Sequence, residues 1–122
     1  MAGQSDFLAV FARLKEILKT YQPSLVVKHD EMDNYYLNTR YSEKWRKELF
    51  FGAVTIKKNY VSFYLMPVYI YPDLLEGLTP ELRRHMQGKA CFNFKVIDEV
   101  LFEELARLAE NSVQRVHMEN LV

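Results

Sequence analysis

Apolar residues recur at spacings of four and three from Phe7 through Phe11, Leu14 and Leu18 to Tyr21. That spacing gathers them on one stripe of an α-helix, because 3.6 residues complete a turn. Ser5 is placed to act as its N-cap and Pro23 to stop it. Arg13, Lys15, Glu16 and Lys19 fall off the stripe and belong to its solvated side. A second stripe, Phe102, Leu105, Ala109, Val113 and Val116, lies near the C-terminus. Asp98 precedes it as an N-cap, and Glu99, Glu103 and Glu104 sit early, where the helix dipole favours negative charge.

Between the two stripes the period changes to two. "SLVVKHDEMDNYYLNTRY" holds two runs rich in Val, Tyr and Thr around a polar "DEMDN". This predicts a hairpin of 24–29 with 35–41. "SEKWRKE" is a polar connection, with Trp45 expected to cover apolar surface. In "LFFGAVTI", Phe50, Gly52, Val54 and Ile56 alternate with Phe51, Ala53 and Thr55, which predicts two strand faces. After the break at "KKN", Val61, Phe63 and Leu65 resume one face, with Tyr60, Ser62, Tyr64 and Met66 opposite, until Pro67 ends the strand. Thr79-Pro80 opens a short helix over 80–86, with Gly88 as its expected C-cap. "ACFNF" is a fifth strand, with Phe92 and Phe94 on one side and Cys91, Asn93 and Lys95 on the other.

Strands joined by short turns pair antiparallel, and terminal helices must bury their stripes. The expected class is α+β. It comprises an antiparallel sheet of about five strands, N- and C-terminal helices packed on one face, and a short extra helix before the last strand. The length, 122 residues, fits a single domain over 1–122.

Composition narrows the function. Lys and Arg total 16 and Asp and Glu total 16, so there is no basic excess of the kind that phosphate binding exploits, and nucleic acid is a disfavoured partner. The single cysteine rules out an internal disulfide. "MAGQSDFLAV" has no basic region followed by a long apolar core, so no signal peptide is expected, and no apolar run approaches the roughly 20 residues of a membrane span. The expectation is a cytoplasmic protein without a membrane partner.

Four constellations could carry chemistry. Cys91, with His85 six residues upstream, has the residue types of a thiolate site, but cysteine is also among the residues most often buried for packing alone. Gly88-Lys89 resembles the end of a phosphate loop, but Ala90 stands where Ser or Thr is needed and the order is helix then strand, so that reading is rejected. His29, Asp30, Glu31 and Asp33 offer nitrogen and oxygen ligands for a divalent metal, in a segment whose composition a polar turn explains equally. Arg83, Arg84, His85 and Lys89 form the densest basic cluster, a candidate anion contact or a solvated helix end. The chain also carries eight Tyr and eight Phe. Tyr35, Tyr36, Tyr60, Tyr64, Tyr69 and Tyr71 all fall on predicted strands or just beyond one. If the helices cover the Val61, Phe63 and Leu65 face, the Tyr60 and Tyr64 face is an open aromatic surface, suited to a ligand or a partner.

"IKKNYVSFYLMPVY", "GLTPELRRHMQGKACFNFK" and "DEVLFEELARLAENSV" together resemble the YdhG-like proteins, a bacterial family of unassigned function, over roughly residues 47–110. The resemblance implies a frataxin-like outline and, for one branch, an iron-delivery role. The residues themselves show no Ser-His-Asp set, no carboxylate pair with reason to titrate apart, and no cofactor loop. The expected function is a non-enzymatic domain that binds a small molecule or a protein through the aromatic sheet face, as a homodimer and without a cofactor. The candidate ligand contacts are Tyr36, Tyr60, Tyr64, Tyr69, Arg83, Arg84 and Lys89. The alternative is an intracellular iron or metal chaperone using His29, Asp30, Glu31 and Asp33.

Overall fold

In a computed structural model, which describes residues 4–119 and side chains from residue 6 onward, the first stripe forms α1 (Gln4–Lys19). Phe7, Phe11, Leu14 and Leu18 are buried along it, and Tyr21 packs partly buried just beyond its end. Ser5, expected as the N-cap, lies within α1, one residue past its start. Pro23 falls in a short 3-10 turn, Gln22–Ser24, that leads into the sheet.

The sheet has five antiparallel strands in sequence order: β1 (Leu25–Asp30), β2 (Asn34–Thr39), β3 (Phe50–Ile56), β4 (Val61–Leu65) and β5 (Cys91–Phe94). One face is the core. Register sets Leu37 opposite Gly52 and Gly52 opposite Leu65; it sets Val54 opposite Phe63 and Phe63 opposite Phe92. Leu37, Val54, Phe63, Leu65 and Phe92 are all 0% exposed. Each such side chain stabilises the fold by about 1.5–3 kcal/mol on burial. Helix α1 lies over this face at Gly52. A Cβ there would stand 2.8 Å from the Tyr64 carbonyl oxygen and 3.5 Å from the Leu18 methyls.

The alternation expected for β3 is corrected at its start. Register jumps from Leu37↔Gly52 to Asn38↔Phe50, leaving Phe51 as an extra residue. A bulge of this kind shifts the side-chain phase by one. Phe51 therefore joins Gly52 and the core, 1% exposed, while Phe50 turns to the opposite face and packs on Tyr36 with ring centroids 4.7 Å apart. A second irregularity falls between Val27 and His29 on β1.

Beyond β4 the chain leaves the sheet close to the expected end at Pro67, with Met66 drawn into the next helix. Met66–Ile70 forms α2, with Pro67 in its first turn and Val68 buried. Pro pre-sets φ for a helix start and cannot donate to a ladder, so it converts a strand-like run into a turn of helix. Tyr69 and Tyr71 are thereby carried off the sheet. After a 3-10 turn at Pro72–Leu75, α3 spans Pro80–Arg83. Its expected cap is present: the Leu82 N–H donates to Thr79 Oγ1 at 3.2 Å, and Thr79 is itself held by the Glu104 carboxylate through its N–H at 2.8 Å and its hydroxyl at 2.7 Å.

Gly88 is not the cap of α3, which ends five residues earlier. Residues 85–87 instead run along the outer edge of β5. The Asn93 N–H donates to the His85 carbonyl at 2.8 Å, and the Gln87 N–H to the Cys91 carbonyl at 2.9 Å. Gly88, at φ +78, makes the reversal that this pairing requires.

The second stripe forms α4 (Glu99–Met118), capped as expected by the Leu101 N–H donating to Asp98 Oδ1 at 3.2 Å. Phe102 meets Phe94 edge-on at 4.9 Å. The helix also packs on α1, α2 and α3. Trp45, expected to cover apolar surface, is 52% exposed in the β2–β3 connection, with Lys44 Nζ 5.9 Å from its ring. That turn is tied by the Trp45 N–H to Ser42 Oγ at 3.3 Å and places Arg46 at φ +58. Among the described residues, no helix is long and apolar enough to cross a membrane.

Candidate ligand-binding site

The face opposite the core is organised in rows, because antiparallel register brings one residue from each strand into line across the sheet. One row is aromatic: His29 stands opposite Tyr36, Tyr36 opposite Ala53, Ala53 opposite Tyr64, and Tyr64 opposite Cys91. The next is polar: Asn34 opposite Thr55, Thr55 opposite Ser62, Ser62 opposite Asn93. Tyr36, Phe50, Thr55 and Tyr64 stay partly exposed.

Ala53 is the small residue between two tyrosines, and it is 2% exposed. A methyl group flanked by rings leaves a hollow, and a depression of about 400 Å³ lies there. Ala53 and Thr55 line its floor, Tyr36 with Phe50 one wall, and Tyr64 the other. Asn34 and Lys57 stand at the end nearest the β3–β4 turn, where the Lys57 N–H donates to the Tyr60 carbonyl at 2.8 Å. Strands lie ~4.8 Å apart, so the Tyr36 and Tyr64 backbones are about 10 Å apart across β3. A planar group between two rings needs ~7–8 Å at van der Waals contact. Backbones at that spacing can hold one aromatic layer between their rings.

The polar row is anchored at its far end. Asn93 Oδ1 accepts from Ser62 Oγ at 2.7 Å and from Cys91 Sγ at 3.3 Å, and Asn93 Nδ2 donates to Gln87 Oε1 at 2.6 Å. Cys91 is therefore a donor in a closed network. Burial pushes its thiol above the ordinary value, and contacts with Ser62 and Tyr64 and the Lys57 charge only partly offset that. This is the opposite of a nucleophile's requirement. His85 does not approach as a base: its Nδ1 is 2.8 Å from the Asn93 carbonyl oxygen and its ring stacks on Phe94 at 4.5 Å.

The other candidates disperse. Tyr36 and Tyr64 meet in the depression, whereas Tyr60 sits in the β3–β4 turn outside the strands. Tyr69 is on α2, 62% exposed, with Lys89 Nζ 5.8 Å from its ring. Arg83 donates to the Leu75 carbonyl at 2.6 Å, and Arg84 follows the end of α3. The four candidate tyrosines therefore divide among three places. Tyr35 belongs to the core, 0% exposed, with its hydroxyl donating to Gln22 Oε1 at 2.6 Å and Lys15 Nζ 5.0 Å from its ring.

His29, Asp30, Glu31 and Asp33 do not converge either. Strand alternation sends Asp30 to the helix side, where it pairs with Lys15 Nζ at 2.5 Å. His29 turns to the aromatic row, with Nδ1 3.0 Å from Glu31 Oε1 and its ring edge-on to Tyr36 at 5.7 Å. Asp33 contributes its carbonyl to the Ile56 N–H at 2.9 Å. Among the described residues, no group of three or more His, Cys, Asp or Glu is arranged to hold a metal ion.

Sequence reasoning passed over Phe50, Ala53, Asn34, Thr55 and Lys57. The available signal was Ala53: alanine is poor in strands, and its place amid aromatic and β-branched residues marks a position kept small. Comparison with protein-family models, with curated proteins and with solved structures finds no match, and nothing in it identifies the YdhG-like family.

Proposed function

We propose that this is a non-enzymatic binding domain that takes a small planar molecule on the open sheet face. The observation that carries the reading is the Tyr36–Ala53–Tyr64 row, in which one small residue separates two partly exposed rings over a depression of about 400 Å³. Small-molecule sites are concave, largely apolar and furnished with a few convergent polar groups. Aromatic walls with Asn34, Thr55 and Lys57 at one end have that make-up. A protein partner would find a concavity at the centre of the face, where interface cores are closely packed. The reading is tested by titrating the full chain with 2-naphthoate and with 2-naphthamide while following the amide resonances of Tyr36, Ala53 and Tyr64. Saturable shifts centred on that row, lost in Ala53→Leu with the fold intact by circular dichroism, are expected. No shift with either compound would sink it.

A further inference from the structure

The depression is polarised along the strand direction. Its walls are rings, and its single charged lining residue is Lys57. None of the ion pairs among the described residues involves Lys57. Of the acids bordering this face, Glu48 and Glu31 are paired. Asn38 and Lys28 hold the Glu48 carboxyl below its ordinary pKa, and Glu31 pairs with His29. Beside Lys57, the Thr55 hydroxyl donates to Asn34 Oδ1 at 3.1 Å, which leaves the Asn34 amide N–H groups as donors. The polar end thus offers an ammonium and an amide donor, and the Asp33 carboxylate beside Asn34 does not line the depression. That asks for an anionic acceptor.

One ammonium matches a monoanion. A phosphate dianion is usually met by an arginine fork or a helix N-terminus, and neither lines the depression. Reach limits the ligand further. Lys57 lies four residues beyond Ala53, ~13 Å along an extended strand. Its side chain lines the same hollow, so the anion stands about one to two ring widths from the stacking position. A bicyclic arene carboxylate or an arylalkanoate fits.

We infer that the open face binds planar aromatic carboxylates, with the ring system between Tyr36 and Tyr64 over Ala53 and the carboxylate towards Lys57 and Asn34. This rests on the ligand-binding reading of the same face and names its ligand class. The test compares 2-naphthoate with 2-naphthamide, which share size and rings and differ in charge. An exposed ammonium aided by an amide donor should favour the acid by about fivefold in Kd. Lys57→Gln should bring the two compounds level, and 0.5 M salt should narrow the gap. Equal or weaker binding of the acid, or an acid preference that survives Lys57→Gln, overturns the inference and leaves the ligand-binding reading standing. Failure of both compounds to bind overturns both.

Discussion

Phe63 and Tyr64 follow each other on β4, yet Phe63 is wholly buried under the helices and Tyr64 keeps part of its ring in solvent. The two faces alternate in the same way at Gly52 and Ala53 on β3 and at Phe92 and Cys91 on β5. The core face is specified by packing: its residues are large, and α1 sits close enough at Gly52 to forbid a side chain. The open face is specified by register: its residues matter for whom they stand beside. A protein can therefore hold its fold with one side of a sheet and vary its chemistry with the other.

Paired substitutions of neighbouring residues sharpen that contrast. Phe63→Ala should cost about 3–5 kcal/mol in urea unfolding, as large core truncations do, while Tyr64→Ala should cost less than about 1.5 kcal/mol. Equal losses would break the distinction between the faces.

Tyr35 tests the core face by pH. Burial, reinforced by the Asp30 carboxylate, pushes its hydroxyl from 10.0 up to about 12. The folded state therefore favours the protonated phenol. Its contribution, about 2–3 kcal/mol, is fully present below pH 10 and is lost as pH rises towards 12. Stability of the wild-type protein should fall across that window more steeply than that of Tyr35→Phe; parallel curves would remove the effect.

Gly52→Ala should destabilise by about 2 kcal/mol, because its Cβ meets backbone that cannot move alone. Ala53→Gly, one residue along, should cost about 1 kcal/mol or less, from backbone entropy. A thermal melt of each resolves the two. The smallest effect belongs to Trp45. Exposed in its turn, it should tolerate Trp45→Ser within about 0.5 kcal/mol, and a larger loss would mean that it covers surface after all.

The parts of this fold that were legible are those where a period runs unbroken. The stripes of α1 and α4 and the alternation of β4 and β5 each continue for their whole length, so the core face follows the pattern. The face assignment of β3 failed at Phe50 and Phe51, because a bulge shifts phase without leaving a mark in the residue types. At Pro67 the end of the strand was legible, but a short apolar stretch suits a strand or a helix, so the helical turn carrying Tyr69 was not. The candidate site was half legible. Alternation put Tyr64 on the open face, but only cross-strand register shows that Tyr36 and Tyr64 flank Ala53. The same register shows that His29 and Asp30, adjacent in sequence, are divided between opposite sides of the sheet.

The strap of residues 85–87 along β5 has a consequence for self-assembly. It occupies the outward amide and carbonyl groups of Asn93 and Cys91, so β1 is left as the sheet's one free margin among the described residues. A sheet with two free margins can add copies without end, as fibrils do. With one, edge-to-edge addition stops at a pair, since joining two β1 strands leaves nothing to extend. The irregularity between Val27 and His29 interrupts even that margin. Capping a single strand thus converts an open-ended polymerisation hazard into one with a fixed stoichiometric limit.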